Sequence, residues 1–201
     1  MAKKLHKGDT IHYGQYAEDL ILDRVTGYKQ TGFYVDIGAN DPVHFNNTKK
    51  FYDQGWCGIN VDPNPSCHEA LEVERTRDIN MNVGVGYNKK VANFYNFKET
   101  EISTFVRPDK LIREGFTLNE IIKVPIVSLS QVLKGANKPI DFLSIDLEGQ
   151  NFEVLKSHNW KIRPHVICIE NDVGDDYAKY LRPYGYRKVA TTLLNSFFVL
   201  I

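Results

Sequence analysis

The sequence has no excess of charge of either sign. Its 201 residues include 25 Lys and Arg and 25 Asp and Glu, so the formal net charge is zero. A protein without a net basic charge gives no electrostatic reason to expect nucleic acid or an anionic membrane as its partner. Long apolar runs are also missing, because none reaches about 18 residues, the length that suggests a membrane-spanning helix. No signal peptide precedes the first motif, so the prediction is a soluble, cytoplasmic protein.

Cysteine is scarce. The three present, Cys57, Cys67 and Cys168, make an odd number and show no metal-ligand spacing. Cys168 lies in an apolar run and is predicted to be a buried thiol. Repeats and low-complexity segments are absent as well, and a single domain over residues 1–201 is the natural prediction for a chain of this length.

Short apolar runs alternate along the chain with stretches of helical periodicity. Seven runs are predicted as strands, over residues 32–38, 57–62, 79–85, 141–147, 166–170, 186–192 and 196–201. Helices are predicted over residues 14–28, 46–54, 66–76, 128–135, 149–158 and 175–184. This alternation favours parallel strands joined by right-handed crossovers. The predicted fold is α/β, with a doubly wound, mostly parallel seven-stranded sheet that closes in a C-terminal antiparallel hairpin.

Three segments lie outside this alternation. Residues 1–30 are predicted to be a helical lead-in to the domain. Val91–Phe97 alternates in polarity and is predicted to be an extra strand or a hairpin arm. Residues 98–123 are polar with weak periodicity, which predicts an insertion over the sheet edge and a candidate lid.

The end of the first predicted strand carries the most information about function. It reads Asp36-Ile37-Gly38-Ala39-Asn40, and ligands of doubly wound sheets bind beyond the carboxyl ends of the strands. Gly38 lets a ligand approach the backbone, and Asp36 can face a cationic group such as the amine of methionine. A dinucleotide site would instead need a G-x-G-x-x-G loop, whose second glycine is replaced here by Asn40. Pyrophosphate binding is therefore disfavoured. The alternative is a simple strand-to-helix turn with a capping Asp36.

An acidic residue also ends the second predicted strand. Asp62 follows Gly38 by 24 residues, and a carboxylate at this place accepts hydrogen bonds from the two hydroxyls of a ribose. Sites for NAD and for S-adenosyl-L-methionine (SAM) both use such a residue, and the missing glycines favour SAM. The alternative for Asp62 is the start of an Asp-Pro turn.

These segments together resemble the FkbM family of SAM-dependent methyltransferases. The resemblance covers roughly residues 14–171 and rests on GQYAEDLIL, FYVDIGANDPVHFNNTKKFYDQGWCGINVDPNP, RTRDINMNVGVG and DFLSIDLEGQNFEVL. It implies the class I, Rossmann-like methyltransferase fold, SAM as cofactor, and O-methylation of sugars in natural products or cell-surface polysaccharides. In this sequence Asn40-Asp41-Pro42 departs from the family's common Asn-x-Gly loop.

The resemblance also implies a set of residues that bind SAM. Asp36, Gly38 and Ala39 would contact the methionine part, and Asp62 would hold the ribose. Asp78, Asn80 and Asn82 would lie beside the adenine, and Asn40 is counted with the cofactor-binding residues.

Acidic and amide side chains follow the fourth and fifth alternating strands. Asp146 and Glu148 come after one, and Glu170 and Asn171 end the next. Asp146, Glu170 and Asn171 would form an all-oxygen set suited to Mg²⁺ or Ca²⁺. This set resembles the metal site of catechol-type O-methyltransferases, a family that the chain otherwise does not match. The alternative is that Asp146 and Glu148 only cap the following helix.

Methyl transfer to an alcohol requires that the hydroxyl lose its proton. A bound metal would lower the pKa of the hydroxyl; without one, a carboxylate or a histidine must accept the proton. The candidates for this catalytic role are Asp146, Glu148 and His44.

The predicted function is O-methylation of a sugar hydroxyl, either on a nucleotide-linked sugar or on a glycan. Three alternatives stay open: N-methylation of a small amine, a non-catalytic module that binds SAM or a nucleotide sugar, and, least favoured, an NAD-dependent oxidoreductase. The sequence leaves open the acceptor, the methylated position and whether the protein forms an oligomer.

Overall fold

The computed structural model describes residues 11–87, 90–147, 149–172, 174 and 176–201. Within them the strands are β1 (Phe33–Ile37), β2 (Cys57–Val61), β3 (Ile79–Met81), β4 (Gly84–Val85), β5 (Val91–Phe97), β6 (Leu118–Val127), β7 (Phe142–Ile145), β8 (Val166–Glu170), β9 (Tyr186–Thr191) and β10 (Asn195–Leu200). The α-helices are α1 (Glu18–Val25), α2 (Lys49–Asp53), α3 (Pro65–Glu74), α4 (Asp109–Arg113), α5 (Leu129–Leu133), α6 (Asn151–Lys156) and α7 (Tyr177–Leu181). None of the described helices is long and apolar enough to cross a membrane.

The main sheet has seven strands in the order β3-β2-β1-β7-β8-β10-β9. The first five of these run parallel, and β10 pairs antiparallel with both β8 and β9. The prediction of a mostly parallel sheet that ends in an antiparallel hairpin is therefore confirmed. The order reverses direction between β1 and β7, which is the switch point where such sheets leave a crevice for ligands.

Apolar side chains cover both faces of this sheet. One buried cluster joins strand residues such as Val35 and Leu143 to α5, α6 and α7. The other joins Tyr34 and Phe142 to Leu22 of α1 and to α2. Because successive side chains of a strand point to opposite faces, a strand buried on both faces reads as a continuous apolar run. This explains why β1, β7 and β8 are easily recognised in the sequence.

A second sheet, in the order β4-β6-β5, stands apart from the main one. The predicted strand over residues 79–85 is divided, because β3 pairs with β2 whereas β4 pairs with β6. Val91–Phe97 is a hairpin arm that pairs antiparallel with β6. Strand β6 lies within and beyond the segment 98–123, which gave no strand signal. Most of its residues are exposed or half-buried, so burial imposes no alternation on their polarity.

Candidate functional site

A cavity of about 320 Å³ opens at the carboxyl edge of the main sheet. Its volume lies within the range of small-molecule sites in proteins, about 300–1,000 Å³. The lining residues come from the strand ends and the loops that follow them, from β5 and the segment after it, from the segment before α1 and from the turn before β10. They are Gln15, Gly38, Ala39, Asn40, Phe45, Asp62, Pro63, Phe94, Thr100, Glu101, Ser103, Thr104, Phe105, Asp146, Leu147, Gln150, Glu170 and Leu194.

The order of the strands arranges the polar lining residues in a row. Asp62 follows β2, Gly38 follows β1, Asp146 follows β7 and Glu170 ends β8. Ile37 is in register with Val61 on one side and with Ile145 on the other, so these strand ends are level. Neighbouring strands lie about 4.8 Å apart, which places the ends of β2 and β8 roughly 14 Å from each other. We refer to the two ends of the cavity as the Asp62 end and the Glu170 end.

At Gly38 the backbone leaves no room for a side chain. Its φ is +83°, and a Cβ added to it would lie 1.9 Å from the carbonyl oxygen of Asp146. The N–H groups of Gly38 and Ala39 both donate to the carbonyl of Val61, at 2.9 and 3.2 Å. The chain therefore turns tightly over the end of β2, in a conformation and a space that only glycine fits.

Asp62 presents a buried carboxylate at its end of the cavity. One oxygen accepts a hydrogen bond from the backbone N–H of Asn40 at 2.9 Å, and the other accepts from the N–H of Asn64 at 2.8 Å. Burial raises the pKa of Asp62 to about 6 despite these hydrogen bonds. A carboxylate has about four lone-pair sites, so both oxygens keep acceptor capacity. Asp62, the residue predicted to bind the ribose, therefore has the free acceptor sites that two vicinal hydroxyls require.

Asp36 lies outside the cavity lining. Its carboxylate is buried and accepts a hydrogen bond from Thr48 Oγ1 at 3.2 Å. Burial raises its pKa to about 6, and the charge of Arg75 opposes that rise. The predicted direct contact between Asp36 and the amine of methionine stays a prediction, since the Asp36 carboxylate is engaged by Thr48 and Ser144 and is not among the residues that line the cavity.

The three residues predicted beside the adenine also lie outside the lining. Asp78 accepts hydrogen bonds from Tyr34 Oη at 2.5 Å and from the N–H of Gly58 at 2.7 Å. Asn80 accepts a hydrogen bond from the amide of Asn60. Asn82 donates to the backbone carbonyl of Asp62 at 3.0 Å. Their side chains hold β2, β3 and α3 together, and Asn82 supports Asp62 from behind.

The catalytic candidates separate into two groups. Asp146 and Glu170 line the cavity at adjacent strand ends. His44 is exposed and is not among the lining residues. Glu148 lies outside the described residues.

The predicted metal set is not brought together. The side-chain oxygen of Asn171 accepts a hydrogen bond from Ser196 Oγ at 2.5 Å, and Asn171 is absent from the cavity lining. Within the described ranges, no group of three or more His, Cys, Asp or Glu side chains is arranged to hold a metal ion. The predicted Mg²⁺ or Ca²⁺ site is therefore not supported, since the side-chain oxygen of Asn171 is directed at Ser196 of β10.

Arg75 is a supporting residue that the sequence pattern did not indicate. Its guanidinium is fully buried and donates to the carbonyl of Pro42 from Nε at 3.1 Å and from Nη2 at 2.6 Å. Nη2 also donates to Asn46 Oδ1 at 2.7 Å, and Nη1 lies 3.9 Å from Asp78. The loop between β1 and α2 is therefore fastened to the end of α3. A single arginine in a polar stretch gives no sequence signal of burial.

The segment after β5 forms another wall that was not predicted residue by residue. Thr100, Glu101, Ser103, Thr104 and Phe105 reach the cavity. With Glu101 included, the lining carries the carboxylates of Asp62, Glu101, Asp146 and Glu170. The described lining residues include no Lys, Arg or His, so the cavity is an acidic environment.

The strand order, the glycine turn and the acidic residue at the end of β2 define the class I SAM-dependent methyltransferase fold. Among solved structures, the N-terminal domain of human METTL16 aligns with a TM-score of 0.50 at 14% identity, over 92% of this chain and 68% of that one. A TehB-like SAM-dependent methyltransferase from Corynebacterium glutamicum aligns with a TM-score of 0.46 at 9% identity, over 96% and 90% of the two chains. An O-methyltransferase from Bacillus cereus aligns with a TM-score of 0.44 at 12% identity, over 97% and 84%.

The family follows from the sequence itself. The model of the methyltransferase FkbM domain matches residues 36–188, which is most of the chain. The chain therefore belongs to the FkbM family, and the resemblance stated from its motifs is confirmed. No curated protein sequence matches it.

Proposed function

We propose that the protein is an O-methyltransferase that moves the methyl group of SAM to a hydroxyl of a sugar. The observation that supports this proposal most directly is that one cavity is lined, in a row, by the Asp62 carboxylate, the Gly38 turn and the Asp146 and Glu170 carboxylates. This row has a place for a long cofactor at one end and for an acceptor at the other.

The Asp62 end is the proposed cofactor site. The remaining lone pairs of Asp62 would accept the two ribose hydroxyls, and the backbone of Gly38 and Ala39 leaves room for the methionine part. When bound, SAM supplies a methyl group on a cationic sulfonium. The four lining carboxylates favour such a cation electrostatically, because the cavity is partly shielded from water.

The charge of the lining also separates the two kinds of sugar acceptor. A nucleotide-linked sugar carries a diphosphate, which proteins bind with Arg, Lys or backbone N–H groups. The described lining residues carry carboxylates and no cationic side chain. We therefore favour a glycan-bound or simple sugar, whose reacting end is uncharged.

Deprotonation of the acceptor is assigned to the Glu170 end. Asp146 follows β7 directly beside Gly38, and Glu170 ends the next strand. Asn151 holds this end together, since its Oδ1 accepts from the N–H of Leu147 at 2.8 Å and its amide lies 3.4 Å from Glu170 Oε2. We propose Asp146 as the general base, because it lies nearest to the turn over which the methyl group would be held.

The test begins with S-adenosylhomocysteine binding, measured by calorimetry. Transfer from methyl-labelled SAM is then measured to a panel of methyl glycosides and small amines. Asp146→Asn is expected to lower kcat on a methyl glycoside by about 10²–10⁴-fold, the usual contribution of a general base, with unchanged S-adenosylhomocysteine affinity. Asp109→Asn, on the exposed face of α4, is the matched control.

Other outcomes point to the alternatives. Methylation of amines, with substantial turnover retained in Asp146→Asn and Glu170→Gln, would support N-methylation, because an amine needs no strong base. The same acidic lining suits a protonated amine, which is why this alternative is kept. Cofactor binding without transfer to any acceptor would support a non-catalytic module.

A further inference from the structure

A buried carboxylate joins the two ends of the chain beside the cavity. Glu18 is the first residue of α1 and is 1% exposed. It has no ion pair within the described part of the chain. Burying a charge without a counter-ion is costly unless hydrogen bonds compensate it. The position of Glu18 at a helix N-terminus offsets part of that cost. The hydrogen bonds that its carboxylate accepts must offset the remainder.

Those contacts reach two separate segments. Glu18 Oε2 accepts a hydrogen bond from the N–H of Tyr16 at 2.8 Å. Glu18 Oε1 accepts from Thr192 Oγ1 at 2.9 Å and from the amide of Asn195 at 3.2 Å. One carboxylate oxygen therefore holds the lead-in segment and the other holds the turn between β9 and β10.

Each of these segments carries a residue that lines the cavity. Gln15 precedes Tyr16 in the lead-in segment, and Leu194 lies between Thr192 and Asn195 in the turn. The chain bends sharply between Gln15 and α1, where Ala17 has a φ of +61°.

The turn itself is fixed at several points. Asn195 N–H donates to Thr192 Oγ1 at 3.0 Å, and Thr192 N–H donates to the carbonyl of Asn195 at 2.8 Å. The carbonyl of Leu194 accepts from the N–H of Asn171 at 2.7 Å, next to the end of β8.

The strand order tells which end of the cavity this wall closes. Strand β10 lies beyond β8 in the sheet, so Leu194 is farther from Asp62 than Glu170 is. Asn195 is in register with Glu170. Leu194 therefore stands at the Glu170 end, away from Asp62, and Glu18 ties the segment that carries Gln15 to the same turn.

We propose that Glu18 is a positioning residue that sets the acceptor-binding wall by holding Gln15 and Leu194 in place together. This inference rests on the proposed function, because it assigns the Glu170 end to the acceptor. A carboxylate suits the role because both of its oxygens accept and neither donates. A glutamine would turn an N–H₂ donor towards either the Tyr16 N–H or the Thr192 and Asn195 donors, and would release one segment.

The variants Glu18→Gln and Glu18→Ala test this. Asp19→Asn is a matched control, since Asp19 is also buried on the first turn of α1 but accepts hydrogen bonds from the backbone of Tyr13, Gly14 and Leu20, none of which lies in the turn between β9 and β10. Amide hydrogen exchange, resolved by mass spectrometry, is measured over residues 13–17 and 192–196. Calorimetry with S-adenosylhomocysteine reports the cofactor end. Kinetics with the most active methyl glycoside of the panel report the acceptor end.

We expect Glu18→Gln to raise exchange at least fivefold in one of the two segments and Glu18→Ala to raise it in both, while Asp19→Asn leaves residues 192–196 unchanged. The acceptor KM should rise at least tenfold in both Glu18 variants, with S-adenosylhomocysteine affinity within twofold of the parent. An unchanged acceptor KM would overturn the inference, as would unchanged exchange in residues 192–196 of Glu18→Ala. A parallel loss of cofactor affinity would also overturn it, because Glu18 would then act on the whole cavity.

Failure of the proposed function has a different signature. A parent protein that binds no S-adenosylhomocysteine refutes the cofactor site, whatever the exchange data show. If the parent binds the cofactor but only amines are methylated, the same KM comparison is made with the best amine. Glu18 is then judged on the acceptor that the protein actually uses.

Discussion

The carboxylate of Asp62 accepts a hydrogen bond from the backbone N–H of Asn40 at 2.9 Å, which ties the end of β2 to the loop that follows β1. The opposite oxygen accepts from Asn64 two residues further on. Asp62 therefore shapes the turn over which a cofactor would lie and, in the proposed site, binds that cofactor as well. The two tasks predict two separate losses when the carboxylate is removed.

Asp62→Ala is expected to weaken S-adenosylhomocysteine binding by about 1–3 kcal/mol, because the ribose hydroxyls lose their acceptor. It should also lower the free energy of unfolding by about 1–3 kcal/mol, because two backbone N–H groups lose theirs. Calorimetry and urea denaturation measure the two effects. The exposed variant Asp109→Ala is the control. Unchanged affinity in a folded Asp62→Ala protein would remove Asp62 from the site.

The raised pKa of Asp36 should make the free energy of unfolding depend on pH. Burial raises its pKa from the ordinary value of 3.8 to about 6. Between these values the folded protein binds more protons than the unfolded chain, so the contribution of Asp36 to stability is present below pH 3.8 and is lost as the pH rises through 6. We expect Asp36→Asn to remove this decline. The difference in unfolding free energy between variant and parent should then shift by about 1–3 kcal/mol in favour of the variant between pH 4 and pH 7.

Urea denaturation at a series of pH values measures that shift. Asp109→Asn serves as the control on α4. A constant difference between parent and Asp36→Asn across this range would show that burial does not perturb Asp36 in the manner described.

Alanine substitutions at Gly27 and Gly38 distinguish the cost of backbone strain from the cost of a steric clash of the added Cβ. Both have positive φ, +83° and +78°, but a Cβ at Gly27 meets nothing within 4 Å whereas one at Gly38 would meet the Asp146 carbonyl. Gly27→Ala is expected to cost about 1–2 kcal/mol, the strain of the left-handed conformation. Gly38→Ala should cost about 1–3 kcal/mol more, because the strand ends must separate, and should also abolish S-adenosylhomocysteine binding. Equal losses of stability in the two variants would mean that the turn at Gly38 has more room than its contacts indicate.

The part of this geometry that was predictable from sequence is the row of strand ends. Strands β1, β2 and β7 are short apolar runs bounded by polar or turn residues, and parallel strands bring their carboxyl ends to one edge. That is sufficient to place Gly38, Asp62 and Asp146 together. The resemblance to the FkbM family indicated the identity of the cofactor.

The sequence did not predict which way the side chains near these strand ends point. Asp36 was expected in the cavity, yet its carboxylate lies among Thr48, Ser144 and Arg75. A motif gives the position of such a residue along the chain, whereas tertiary contacts decide whether its side chain meets a ligand or supports a loop. Strand β6 was missed for a related reason, since an exposed strand has no burial pattern for the sequence to record.

Arg75 is the residue with which the support of the site can be tested most directly. Its guanidinium is buried with the carboxylate of Asp78 and fastens the loop at Pro42 and Asn46. Arg75→Met keeps much of the side-chain volume but leaves buried carboxylates without their cation, and we expect a loss of about 3–5 kcal/mol in unfolding free energy. Arg113→Met, on exposed α4, should lose less than about 0.5 kcal/mol.

Arg75→Lys separates the charge of the guanidinium from its shape. A lysine restores a cation but brings its donors on a single nitrogen, whereas arginine bonds Pro42 and Asn46 through a planar fork. Lysine should therefore recover part of the stability while S-adenosylhomocysteine affinity stays reduced, because the loop that carries Asn40 is no longer fastened at both points. Full recovery of both quantities by lysine would mean that charge alone supports the loop, and the hydrogen bonds to Pro42 and Asn46 would then have no separate role in cofactor binding.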